Sequence, residues 1–249
     1  MAINTEKNVY TVVFAALMVA VVGAILAYLA SGLKPLIKEN ERFEKQQNIL
    51  YAMGVNENEG DGSVDFVPKD RVEQVFTEYI KEQLVIDGEQ ITQDDQAYLI
   101  DMKKQLAARK EGQNPKLPVF IGEKDGENFY ILPMYGKGLW DAIWGFIALD
   151  KEMTVQGVYF DHKGETPGLG ANIKERFFMD DFKGESIMDD GRLVGVKVVK
   201  GNNDPTNQDK DDNAVDALAG ATITGNGVSA MISESLNLYK DYLESIRTN

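Results

Sequence analysis

Between Lys7 and Lys34 the chain carries no charged residue, and Val9 to Leu33 is almost wholly apolar. At about 1.5 Å per residue, a helix over this stretch crosses a hydrocarbon core of roughly 30 Å with some tilt. A cleaved signal peptide has an apolar region of only about 7–15 residues, followed by small residues at the cleavage site. Here the run is too long and Tyr28 spoils the best site. The reading is therefore a retained, single transmembrane anchor. Ala16, Ala20 and Ala24 form one row of small residues, and Gly23, Ala27 and Ser31 a neighbouring one. They are either a close-packing face for other membrane helices or the ordinary alanine content of such a helix.

The chain beyond the anchor is long enough for one sizeable domain with its own core. The formal net charge of −14 argues against nucleic acid, whose phosphates need a basic footprint, and against spreading on anionic lipid. With no cysteine the chain cannot hold a thiolate-bound iron–sulfur cluster. With His162 as its one histidine it offers no ordinary haem or multi-histidine metal site. Any redox work falls to an organic cofactor, and no metal site is expected. His162 reads as a loop residue beside the cofactor pocket.

Three segments are expected: an anchor over 1–34, a helical linker and acidic peripheral region over 35–115, and a cofactor domain over 116–249. Val72 to Leu84 and Gln96 to Arg109 read as helices around a turn at Asp87-Gly88, with a role in peripheral packing or in contact between subunits. After Pro118, short stretches rich in β-branched and aromatic residues predict strands over Val119–Gly122, Phe129–Met134, Ala142–Leu149, Val155–Tyr159 and Val194–Val199. Ile173 to Phe182 reads as a helix. Val228, Met231, Ile232, Ser235, Tyr239, Tyr242, Leu243 and Ile246 recur at helical spacing after Asn226. The fold class is α+β, a mostly antiparallel sheet flanked by helices.

The chemistry-bearing run is Asp216-Ala-Leu-Ala-Gly-Ala-Thr222-Ile-Thr224-Gly, which leads into that last helix. In one reading Thr222, Thr224 or Asn226 is simply its N-cap. In the other, the helix N-terminus presents free N–H groups and a positive dipole end to a phosphate. Gly220 and Ala221 then leave room for a bulky ligand. The loop Gly164-Glu165-Thr166-Pro167-Gly168-Leu169-Gly170 is either a connecting turn or a place where the backbone comes close to a flat ring. Tyr135 to Trp140 follows a strand. Trp140 either covers such a ring or fills the core, with core packing the commoner fate of both Trp140 and Trp144. Lys137 either balances a phosphate or is solvated.

The run ending at Thr222 resembles the acceptor motif of proteins that carry FMN through a phosphoester bond to threonine. Ala219 stands where that family usually has Ser or Thr, a change that leaves the acceptor hydroxyl untouched. Together with the Glu165 loop, the Tyr135–Trp140 stretch and the anchor, the chain outside roughly Asn56 to Asn114 is similar to the C subunit of bacterial sodium-translocating NADH:quinone oxidoreductases.

The resemblance implies covalent FMN on Thr222, with Thr224 as second candidate. Gly220, Ala221, Glu165, Thr166, Gly168, Leu169, Lys137, Gly138, Leu139 and Trp140 would line the flavin. It further implies an electron relay between NADH and ubiquinone within a sodium translocase of the bacterial inner membrane, with other membrane subunits and a flavin transferase as partners. No catalytic residue is implied, and the isolated chain would make no bond in a substrate. Lys34, Lys38, Arg42 and Lys45 after the anchor, against Glu6 and Lys7 before it, place the domain in the cytoplasm by the positive-inside rule, although long domains cross regardless of charge. The resemblance implies the opposite, periplasmic side. The related G subunit of the Rnf electron-transport complex, and a non-redox anchored binding module, are the alternatives.

Overall fold

The computed structural model describes residues 8–60, 62–201, 204 and 206–248, so Glu6 and Lys7 lie outside the described residues. The chain divides into two units, Met1–Arg42 and Phe43–Asn249. Helix α1, Asn8–Ala52, contains Pro35. Its apolar side chains from Val9 to Leu33 are exposed, a helix surface compatible with a single-pass membrane anchor.

Within the second unit, the last turns of α1 are buried, with Ile49, Leu50 and Ala52 fully enclosed. After α2, Val72–Tyr79, a six-stranded antiparallel sheet is built from β1 (Ile80–Asp87), β2 (Gln90–Gln93), β3 (Lys116–Lys124), β4 (Glu127–Lys137), β5 (Ala142–Leu149) and β6 (Val155–His162), in the order β2-β1-β3-β4-β5-β6. Between β2 and β3 run a 3₁₀ turn, Ala97–Leu99, and helix α3, Met102–Lys110. After β6 come a 3₁₀ turn at Gly170–Lys174, the single turn α4, Arg176–Met179, and another 3₁₀ turn at Asp180–Phe182. The hairpin β7 (Met188–Asp189) and β8 (Arg192–Leu193) comes next. β9 (Lys197–Val199) pairs in parallel with β10 (Ala214–Asp216). Helices α5, Thr222–Leu238, and α6, Lys240–Thr248, end the chain.

The α+β class and antiparallel sheet are as the sequence pattern predicts; several elements differ. The helix expected over Val72–Leu84 stops at Tyr79, and the chain continues as β1, paired with β3 from Ile80↔Gly122 to Asp87↔Lys116. The apolar spacing continues across this point, but a run rich in β-branched residues leading to a Gly88 turn pairs with β3, and tertiary pairing overrides helical periodicity. Residues 80–93 thus supply two strands of the sheet. Gln96–Arg109 is interrupted, because the Asp101 side chain caps α3 by accepting from the Lys104 N–H at 3.3 Å. Ile173–Phe182 is three short turns rather than one helix, and the strand expected from Val194 begins at Lys197.

Helix α5 begins at Thr222, six residues before Val228, the first periodic apolar side chain. It packs on β4 with Val228, Met231, Ile232 and Leu236 buried. Its approach is close: a side chain at Gly136 of β4 would meet Met231 Cβ at 2.7 Å, and one at Gly227 would run into the Lys137 carbonyl. The start of α5 is thereby drawn to the end of β4. Farther along, the fully buried Tyr239 donates its hydroxyl to the Pro118 carbonyl at 3.0 Å. Tyr239→Phe is expected to remove that bond at a cost of about 1 kcal/mol, a fall in melting temperature of about 2–4 °C for a domain of this size. An unchanged melting curve would show that the bond adds nothing.

Candidate functional site

The sheet brings the two loops of interest to one end. Lys137 pairs with Ala142 across β4 and β5, and Ile143 pairs with His162 across β5 and β6. The 138–141 loop and the 163–169 loop therefore leave the same edge. They are tied by Lys163 to Asp141 at 2.9 Å and by the Trp140 indole N–H donating to Thr166 Oγ1 at 3.1 Å. The lysine and the Ala142 N–H hold the Asp141 carboxyl below its ordinary range.

Glu165 joins these loops to α5. It is almost wholly buried; its Oε1 accepts from the Trp140 N–H at 3.0 Å and its Oε2 from the Thr224 hydroxyl at 2.6 Å. Burial pushes its pKa up. The Thr224 hydroxyl and the backbone N–H groups of Trp140, Leu139 and Asp141 more than offset this, so the net direction is down and the group is an anion. Gly170 makes room for the arrangement, since a side chain there would collide with Thr224 Oγ1 and come within 2.6 Å of Glu165 Oε2. His162 ends β6 rather than lying in the loop, and its Nδ1 accepts from the Glu165 N–H at 3.1 Å.

None of Thr222, Thr224 and Asn226 caps α5. The N-cap position is Ala221, with no side-chain bond to the helix, and the N–H groups of Thr222, Ile223 and Thr224 have no acceptor among the described residues. Three free donors thus open at the positive end of a helix of more than four turns. Thr222 is exposed there, whereas Thr224 is only 1% exposed and its hydroxyl is spent on Glu165.

Leu139, Glu165, Thr166, Leu169, Gly170 and residues 220–224 line one cleft of about 270 Å³. Gly220 holds a positive φ of +73° in its wall, a conformation that favours glycine. Gly138 packs against Glu165, and Gly168 sits next to the lining at φ +75°. Gly170 and Ile223 belong to the cleft although the motifs do not mark them as ligand contacts. Their signal in the sequence is adjacency to Leu169 and Thr222. Lys137 lies elsewhere, on a neighbouring cleft that Trp140 also borders. Neither tryptophan is core: Trp140 is 68% exposed and Trp144 half-buried. With Ile223 at 58%, Leu169 at 41% and Leu139 at 40%, Trp140 makes an apolar rim of the kind that marks a binding site.

These residues fit FMN. The free N–H groups and exposed hydroxyl at the α5 start suit its phosphate, and the apolar rim suits its ring system. The volume is below the roughly 300–1,000 Å³ of a site that encloses a small molecule, so such a ring would rest on the surface with one side open.

Residues 138–237 match the family model of the FMN-binding domain. The chain is 30% identical to the C subunit of the Na(+)-translocating NADH-quinone reductase of Yersinia pestis, over 98% of this chain and 95% of that one. The solved structure of the C subunit of the Na(+)-translocating NADH-quinone reductase of Parabacteroides distasonis superposes with a TM-score of 0.70 at 35% identity, covering 85% of this chain and 96% of that one. Shewanella oneidensis NqrC shares the fold, with a TM-score of 0.67 at 24% identity over 84% of this chain and 99% of that one. The similarity to the Yersinia protein takes in Asn56 to Asn114, which lies outside the motif resemblance.

Proposed function

The chain belongs to the family of the C subunits of Na(+)-translocating NADH-quinone reductases, and from that premise we propose that it carries FMN esterified to Thr222 and relays electrons towards quinone. As a member of that family it is a subunit of a sodium-translocating oxidoreductase complex, and it contains an FMN-binding domain. One observation supports the ester at Thr222: its hydroxyl is exposed at an uncapped helix start, while the Thr224 hydroxyl is buried against Glu165.

FMN, when bound, supplies reversible redox chemistry that no side chain here can provide. The chain's own part is to hold and orient. Thr222 Oγ1 gives up a proton and forms a bond to phosphorus as the phosphoanhydride of an activated flavin donor breaks and its other half leaves. The catalyst for that step is a partner flavin transferase. The free N–H groups of residues 222–224 would hold the phosphate of a bound FMN, and Leu139, Trp140, Leu169 and Ile223 would shield one side of its ring from water. The open side is left for exchange with a neighbouring subunit. We place the domain on the periplasmic side of the inner membrane, with the other subunits of the complex as partners.

The expected result, on expression with a flavin transferase, is a fluorescent band after denaturation and an FMN mass increment confined to the peptide that contains Thr222. Without the transferase the band is absent. A non-covalent flavin lost on denaturation in both samples would overturn the ester.

A further inference from the structure

Beside the Thr222 cleft lies a larger one of about 720 Å³, between α3, the end of β4 and α5. Lys103, Arg109 and Lys110 from α3 and Lys137 from β4 border it, and no member of this quartet makes an ion pair among the described residues. Two acids, Asp141 and Glu234, also border it, and Asp141 is already tied to Lys163 at 2.9 Å. A chain of net charge −14 thus gathers four cations against two acids on one concave wall, with Lys103 near enough to Asp141 to help lower its carboxyl. The α3 C-terminus accounts for Arg109 and Lys110 through the helix dipole. It does not account for Lys103 in the first turn or for Lys137 on another element.

Tyr135, Leu106 and Ala107 line the same wall with apolar surface, and Trp140 borders this cleft while its indole N–H holds Thr166 of the other. The two clefts therefore meet at one exposed ring.

We infer that this basic cleft seats an acidic segment of a neighbouring protein subunit of the complex, placing that subunit against Trp140 and the flavin edge. The inference rests on the flavin reading for its consequence but not for its binding chemistry. Lys103 and Lys110 are two helical turns apart, roughly 10 Å along α3, so the positive charge is spread too widely for one phosphate and suits several carboxylates. An anionic bilayer is a poor occupant, because the cleft is concave and the chain as a whole is acidic. Wide, charge-steered contacts of this kind serve association rate more than affinity.

The test is zero-length carbodiimide cross-linking of the intact membrane complex at low salt, which joins lysine amines only to carboxylates in direct contact. Denatured-gel flavin fluorescence is read on the same samples. Amide links are expected from Lys103, Lys110 or Lys137 to Asp or Glu of another subunit, suppressed at high salt. The Lys103→Glu, Lys110→Glu double variant is expected to lose them and to slow NADH–quinone electron flow by about tenfold at low salt with fluorescence unchanged. Links from other lysines but none between subunits from these would overturn the inference, as would binding of these lysines to phosphatidylglycerol vesicles in place of a subunit. Missing cross-links with fluorescence retained reject the docking surface alone; missing fluorescence with cross-links retained rejects the flavin ester alone.

Discussion

Thr222→Ala is expected to abolish covalent flavin completely while shifting the melting temperature by no more than about 1–2 °C. The first effect follows from chemistry: a phosphoester needs the hydroxyl oxygen, and alanine has none. The second follows from the structure, because Thr222 is exposed and makes no capping bond. Exposed substitutions without such a feature stay within about 0.5 kcal/mol, and a domain of this size moves about 2–4 °C per kcal/mol. Thr224→Ala should behave in the opposite way. It removes the donor to Glu165 Oε2, so a buried anion loses a partner at a cost of about 2 kcal/mol, yet the fluorescent band persists. Intact mass, in-gel fluorescence and thermal melting of the two variants, each expressed with a flavin transferase, read both quantities. A band retained in Thr222→Ala and lost in Thr224→Ala would reverse the assignment.

The second large effect is expected at Glu165. Removing its carboxylate strands the Trp140 N–H and the Thr224 hydroxyl and leaves a void beside Gly138 and Gly170. Glu165→Ala should therefore cost about 3 kcal/mol, a fall of about 6–12 °C, and reduce flavin loading because the cleft loses the wall that joins its loops to α5. Glu165→Gln keeps the shape. Its carbonyl can still accept from Trp140, and its amide can donate to a Thr224 hydroxyl turned to accept, so its loss should be nearer 1 kcal/mol.

The pH dependence has a definite sign. The folded pKa of Glu165 is lowered despite burial, so its contribution is complete above the ordinary carboxylate range and is lost as pH falls through the folded value. The advantage of the parent over Glu165→Gln should therefore be full at pH 7 and shrink below about pH 4, the ordinary glutamate range. An advantage that is the same at pH 7 and pH 3, or a Glu165→Ala as stable as Glu165→Gln, would show that the carboxylate is not the latch.

The parts of this fold and site that can be read in advance are those set by neighbours along the chain. The span from Val9 to Leu33 is apolar in itself. Ala142–Leu149 is the strand its composition predicts, and the Asp87-Gly88 turn follows from one glycine. The buried face of α5 is its spacing, although its start at Thr222 is not, because nothing in the run announces a helix that begins without a cap. β1 escapes the spacing for a related reason: Ile80 and Leu84 suit either a helix or a strand, and only the presence of β3 alongside decides.

The sequence by itself determined the long uncharged apolar span, the lack of cysteine and of more than one histidine as ligands, and the buried face of the last helix, since each rests on residue identity or local spacing; the threonine run as the place for a phosphate ester comes from the family resemblance and is a proposal. The tertiary structure decided which threonine faces outward, that Glu165 is a buried latch and not a free contact, that Trp140 stands on the surface between two clefts, and that Lys137 serves the second of them. The physical reason is distance along the chain. Glu165 meets Trp140 across 25 residues and Thr224 across 59, and Lys137 reaches α3 through the pairing of strands. No local pattern encodes contacts that form only when the sheet brings its loops to one end.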